Sequence, residues 1–198
     1  MDFRKNLKNN FGEDFIQKCD LFCEILLQWN KTHSMTTLKN TDEIYENIED
    51  SIDFLKNFSN FNTFADIGTG AGFPGLIIAI AKPEVKSFLL EPRLKRASFL
   101  NFAKNKLGLS NCTIINDRAE NFIFENGVDF VCSRAVGEAK VLLEISKKFS
   151  NSNTKYLFFK GSSVENEFKD LKGFNYKVIK KNDNRNYLIL ENGEINDF

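Results

Sequence analysis

The sequence predicts an α/β protein built on a doubly wound, mostly parallel sheet, and three observations carry that reading. Short apolar runs suited to buried parallel strands recur at 63–67, 86–90, 112–115, 128–132 and 155–160, with helical patterns between most of them. A glycine-rich turn, "DIGTGAGFPG", follows the first of these runs and opens a helix. The last two runs, "YKVIK" and "NYLILEN", are separated only by "KNDNRN", which reads as a hairpin rather than another crossover.

The elements ahead of the sheet are helical. In residues 13–29, Phe15, Cys19, Phe22 and Leu26 fall at spacings of three and four, which predicts an amphipathic helix. A second helix starts at Asn40, with Glu43 three residues later as in a capping box. Ile44, Ile48, Ile52 and Leu55 form its apolar stripe. Residues 1–60 are expected to form a helical cap, and 61–198 a Rossmann-like domain of seven strands, one of them turned back. Pro74 suits the first turn of the helix after the glycine loop, Pro83 stops it, and Gly108 is placed as a C-cap after "RLKRASFLNFAKNKL".

Composition narrows the class. The 198 residues are 42% hydrophobic and 27% charged with zero net charge, and 21 Phe fill much of the core. No apolar run approaches the ~20 residues that span a bilayer, and "MDFRKNLKNN" lacks the apolar stretch of a signal peptide, so a cytoplasmic protein is expected. Cys19, Cys23, Cys112 and Cys132 form no C-x-x-C pair and His33 is the single histidine, so no metal site is expected and the cysteines read as reduced core residues.

Two cofactor frames overlap in the loop. Gly70, Gly72 and Gly75 fit G-x-G-x-x-G, with Glu91 21 residues after Gly70, near the spacing of a nicotinamide dinucleotide site. Asp66, Gly68, Gly70 and Gly72 fit D-x-G-x-G-x-G, the pattern of S-adenosylmethionine-dependent methyltransferases. A carboxylate at the strand tip disfavours a pyrophosphate and favours a cationic, phosphate-free ligand. Asp66 therefore points to S-adenosylmethionine, while Glu91 serves ribose hydroxyls in either frame.

The chain also resembles a known family, the bacterial 16S ribosomal RNA guanine-N7 methyltransferases, or glucose-inhibited division protein B family. The resemblance rests on "DIGTGAGFPGLIIAIAKP", "LLEPRLKRASFL", "NDRAENF", "FVCSRAVG" and "FFKG", in that order. In the cap, "LLQWNKTHSMTTLKN" is similar to a W-N-K segment with Ser34 in place of the usual Asn, and "YENIEDSI" keeps Asp50 and Ser51 but carries Asn47 where His is common. The resemblance implies that Gly68, Phe73, Ala119, Glu120 and Arg134 line the S-adenosylmethionine pocket, joined by Asp66, Gly70 and Glu91. It implies methylation of a guanine N7 in 16S ribosomal RNA or a small-subunit particle. By topology, Lys95, Arg96, Arg118 and Lys160 share the rim at the carboxyl edge of the sheet, a cation cluster suited to RNA phosphates. A monomer is expected.

Guanine N7 carries a free lone pair at neutral pH, so no catalytic general base is expected and catalysis rests on orientation. That lone pair must stay open, so a cation touching the base is expected on O6 or a phosphate. The alternatives are a methyltransferase for a small molecule or protein, which shares the loop, then a nicotinamide oxidoreductase, then a non-catalytic RNA-binding module.

Overall fold

The computed structural model describes residues 3–193 except 57, 59, 163, 165, 166, 168–170, 172, 183 and 184. Helix α1 (Phe3–His33) is longer than the 13–29 pattern and is broken at Gly12, whose φ of 84° is non-helical. Asn30 then shapes the connector, its side chain donating to Leu38 O and accepting from Thr36 N–H. Ser34 adopts φ 49°, a left-handed conformation that Asn tolerates better than Ser, so the departure at this position carries a small conformational cost.

Helix α2 (Thr41–Ile52) starts as its sequence predicts. Asn40 Oδ1 accepts from Glu43 N–H at 2.9 Å, while the Glu43 carboxylate reaches back to Lys39 N–H. Ile44, Ile48 and Ile52 are buried, each contributing about 1.5–3 kcal/mol against exposure.

The sheet has seven strands in the order β3-β2-β1-β4-β5-β7-β6. Strands β1 (Thr63–Ile67), β2 (Lys86–Leu90), β3 (Cys112–Ile115), β4 (Phe130–Arg134) and β5 (Lys155–Lys160) are parallel to one another. The hairpin of β6 (Phe174–Asn182) and β7 (Arg185–Asn192) closes the edge, with β7 antiparallel to β5. Six strands thus run one way and β7 is turned back. Strand β4 begins two residues later than the 128–132 pattern suggests. Val128 N–H is committed to Phe149 O, and the Asp129 carboxylate caps the backbone of Asn62 and Thr63.

Three further helices complete the layers: α3 (Gly75–Ala81), α4 (Leu94–Leu107), which ends on left-handed Gly108, and α5 (Ala139–Ser146). Among the described residues no helix is long and apolar enough to cross a membrane.

Strand alternation sends side chains to two cores. Phe64, Leu89, Cys132, Leu157, Phe159 and Tyr187 join α1 to α4 on one face, called here the cap side. Ala65, Ile67, Leu90, Val131, Phe158 and Leu188 join α5 on the other. All four cysteines are buried free thiols, and burial pushes Cys23 up to about 12 and Cys112 to about 11.

Candidate cofactor site at the carboxyl edge of the sheet

The glycine loop is held down from both ends. Gly68 N–H and Thr69 N–H both donate to Leu90 O, at 2.9 and 3.2 Å, which fastens the turn to the end of β2. Gly68 has φ +70°, and a Cβ there would lie 2.7 Å from Val136 Cγ2, so only glycine fits between the loop and the segment after β4. The Phe73–Pro74 peptide is cis, and α3 starts at Gly75.

Asp66 lies beneath this loop, wholly buried, with Oδ2 accepting from Gly75 N–H at 2.8 Å. Its Oδ1 and the Thr69 hydroxyl are buried without a well-formed hydrogen bond. Burial raises the Asp66 carboxyl to about 6, against the opposing pull of the adjacent Thr69 hydroxyl, the Gly75 amide and the Arg134 charge. This corrects the expectation that Asp66 offers its charge to a ligand. Strand parity turns it to the cap side, under the start of α3, where it ties the loop to the sheet.

Glu91 does similar work from β2. Its Oε2 accepts from Gly70 N–H at 3.0 Å and its Oε1 from Arg93 N–H at 2.9 Å, and the residue is 2% exposed. Arg96 Nη1 lies 3.9 Å from Oε2, so Arg96 neutralises Glu91 and does not stand free on the rim. Glu91→Ala leaves two loop amides without acceptors. Calorimetry with S-adenosylmethionine should show affinity weakened by about tenfold or more, corresponding to ~1–3 kcal/mol, and Glu91→Gln, which keeps one acceptor, should retain part of it.

A cavity of about 400 Å³ opens above Gly68, walled by Ile67, Leu90, Pro92, Ala119, Val136 and Ile145, with Arg93, Arg118 and Glu120 also lining it. Gly68, Ala119 and Glu120, expected at the cofactor, line this one cavity, and Arg118, expected on the RNA rim, lines it too. Ala119 and Glu120 sit on a 3₁₀ turn (Ala119–Asn121) after β3. A larger cavity of about 490 Å³ lies at the amino ends of β5 and β6, beside Leu143, Tyr156 and Phe174, remote from the glycine loop.

Three other expected residues, Phe73, Arg134 and Lys160, do not line this cavity. The Phe73 ring is buried on the cap side, edge-on to Phe22 at 5.4 Å. Arg134 shares that side by parity with Phe130 and Cys132. Its guanidinium lies 5.0 Å over the Phe73 ring and donates to Asn47 Oδ1 at 3.2 Å and Asp50 Oδ2 at 3.3 Å, turned toward α2 and away from the cavity. Burial pulls its pKa down, with Asp50 opposing.

Lys160 is only 9% exposed, paired with Glu167 at 2.5 Å and donating to Gly137 O at 2.8 Å. A phosphate cannot reach it there, because burial on the α5 side demands a partner and Glu167 supplies one. Lys95 is exposed on α4. The expected four-cation rim is thus reduced to Lys95 and Arg118, with Arg96 tied to Glu91.

Comparison with known proteins places this geometry. A family model described as GidB, rRNA small subunit methyltransferase G, matches residues 15–188. The chain belongs to the GidB family. It is 45% identical over 186 residues to the ribosomal RNA small subunit methyltransferase G of Aliarcobacter butzleri, covering 94% of each chain. It is 38% identical over 181 residues to the protein of that name from Wolinella succinogenes, covering 91% of this chain and 92% of the other.

Solved structures share the fold. A SAM-dependent methyltransferase from Aquifex aeolicus superposes with a TM-score of 0.60 at 18% identity, over 71% of this chain and 88% of its own. An rRNA methylase from Streptococcus thermophilus gives 0.54 at 16%, over 74% and 96%. Membership of the GidB family makes the chain a methyltransferase by descent, and its GidB segment includes both the loop and the strand end carrying Arg134.

Sequence reasoning gave no role to Val136, Asp50, Lys181 or Arg185. Val136 lies inside the "FVCSRAVG" segment and was legible there. The other three meet only through tertiary pairing of α2 with β6 and β7.

Proposed function

We propose that this chain methylates N7 of a guanine in 16S ribosomal RNA, in the cytoplasm, with S-adenosylmethionine as donor. The observation that carries the reading is the cavity over Gly68, where a bare backbone at positive φ meets an apolar slot suited to a purine, beside a loop whose amides are already fixed. When bound, S-adenosylmethionine supplies an activated methyl group on a sulfonium.

Gly68, Leu90, Ala119 and Val136 would hold its adenosine part by shape. Glu120 and Arg118 line the cavity with hydrogen-bonding groups, and Glu91 would meet the ribose by exchanging one of its amide partners. Asp66 and Gly70 act indirectly, by fixing the loop. Residues 1–60 serve as a helical cap over the cofactor-binding part, 61–198.

Guanine N7 needs no deprotonation, so the residues around the acceptor have one task, to orient the base and exclude competing water. Orientation alone is worth up to ~7–11 kcal/mol in favourable cases. The test is to map N7-methylguanosine in 16S RNA from cells with and without this gene. One guanine losing its methyl group on deletion, and regaining it when purified protein and S-adenosylmethionine are added, is the expected result. Identical maps overturn the proposal.

A further inference from the structure

The outer face of α4 is built against ordinary helix electrostatics. From Pro92 to Asn116 the chain carries five cations, Arg93, Lys95, Arg96, Lys104 and Lys106, and not one carboxylate, although its 27 acidic and 27 basic residues balance overall. Lys95 and Arg96 fall in the first turn of the helix, whose positive end disfavours them, and no acidic residue offsets them there. Among the described residues, Arg96 alone of the five pairs with a carboxylate. Charge of one sign kept together at a cost to the helix implies an anionic partner.

The same face carries aromatic rings. Lys95, Ser98 and Phe102 succeed one another at spacings of three and four, and Asn105 and Lys106 follow Phe102 by three and four, so these five exposed side chains share one stripe. Phe102 is 38% exposed. The Phe102 centroid lies 5.6 Å from that of Trp29 near the end of α1, and Lys106 Nζ stands 5.7 Å from the Phe102 centroid. Buried Phe99 meets the Trp29 ring edge-on at 5.5 Å and fixes the indole from beneath. The end of α1 is acid-free too, from Ile25 to Thr41.

The stripe starts beside the cofactor cavity, which Arg93 lines, and runs about 16 Å along α4 from Lys95 to Lys106. Partly exposed flat rings flanked by unpaired cations are the elements that hold single-stranded nucleic acid, where bases stack on the rings and phosphates meet the lysines. We propose that the outer face of α4, with Phe102 and Trp29 as a stacking platform and Lys95 and Lys106 as phosphate contacts, binds an unpaired RNA segment flanking the nucleotide to be methylated. That this RNA is the methylation substrate rests on the function proposed above; the existence of the RNA-binding face does not.

Trp29 is the single tryptophan, so its emission reports on this face directly. The full chain is titrated with an unstructured uridine oligonucleotide and with 16S RNA while Trp29 fluorescence is followed. Both should quench it, and an RNA duplex of equal length should quench less. Phe102→Leu keeps an apolar side chain but removes the flat ring. It should weaken oligonucleotide affinity about fivefold or more with the salt slope unchanged, and Phe102→Tyr should restore that affinity. Lys106→Gln should reduce the slope of log affinity against log salt by about 0.7, the value for one phosphate contact on a single strand. Calorimetric affinity for S-adenosylmethionine should stay at the wild-type value in all three, because neither side chain lines the cavity.

Trp29 emission indifferent to every RNA overturns the proposal, as do Phe102→Leu and Lys106→Gln proteins that bind the oligonucleotide like wild type. A response to phosphatidylglycerol vesicles and not to RNA assigns the face to a membrane surface and overturns it as well. In methylation assays both variants should raise KM for 16S RNA, and an unchanged KM overturns the assignment to the substrate. Quenching by RNA in a wild type that methylates no RNA leaves the binding face standing and defeats the proposed function instead.

Discussion

Gly75→Ala should destabilise the protein by about 1–3 kcal/mol and abolish measurable S-adenosylmethionine binding. An added Cβ would lie 2.6 Å from Asp66 Oδ2, 2.8 Å from Asp66 Cβ and 3.0 Å from Leu89 Cγ. Asp66 and Leu89 sit on paired central strands, so neither can retreat without moving the sheet. The alternative is for α3 to lift, which breaks the Gly75 N–H bond to Asp66 and drags the glycine loop with it.

Second-site changes reveal the cause. Asp66→Ala should not rescue Gly75→Ala, because the Cβ contact at 2.8 Å persists, whereas Asp66→Gly should recover part of the loss. Gly161→Ala is the control, since a Cβ there meets nothing within 4 Å, and it should fall within about 0.5 kcal/mol of wild type. Urea unfolding measures all four. A Gly75→Ala protein as stable as the control would contradict the close packing of α3 on β1.

The second large effect is a pH dependence set by Asp66. Its carboxyl is raised by burial from 3.8 to about 6. A raised folded-state value means the native protein holds its proton more tightly than the unfolded chain does. The stabilisation is therefore complete below about pH 4 and is lost as pH rises through about 6, amounting to ~3 kcal/mol across that window.

Asp66→Asn removes this slope. Its side-chain oxygen can still accept from Gly75 N–H, and its new amide N–H faces the nearby Thr69 hydroxyl, which lacks a well-formed bond in the native chain. The variant should therefore gain on wild type by up to ~3 kcal/mol between pH 4 and pH 7.5. Parallel stability curves for the two proteins over that range would show that Asp66 does not titrate as a buried acid.

Both predictions concern the same ten residues, and they mark how far the sequence could be read. The glycine loop, the strands around it and the capping of α2 were legible because each depends on local chemistry: a left-handed φ, an apolar run, a side chain reaching its own helix start. Gly68, Ala119 and Glu120 line one cavity because they follow strand ends that the parallel topology brings side by side.

The residues whose partners the sequence did not show share a different cause. Asp66, Arg134 and Lys160 all stand at or near the carboxyl ends of strands, and proximity to the edge suggested that they face a ligand. Which face each occupies follows from period-two alternation, so Arg134 goes with Cys132 to the cap side and Lys160 with Phe158 to the α5 side. That much was available in the sequence. Their partners were not: Asp50 meets Arg134 across 84 residues, and Glu167 reaches Lys160 from a segment with no motif.

The sequence by itself therefore determined the α/β class, the cofactor loop and the family, because backbone conformation and apolar periodicity are written in neighbouring residues. Only the tertiary structure decided which charges are free. A charge keeps or loses its exposure according to what distant elements pack against it, and burying a cation requires a counter-ion that chain order does not reveal.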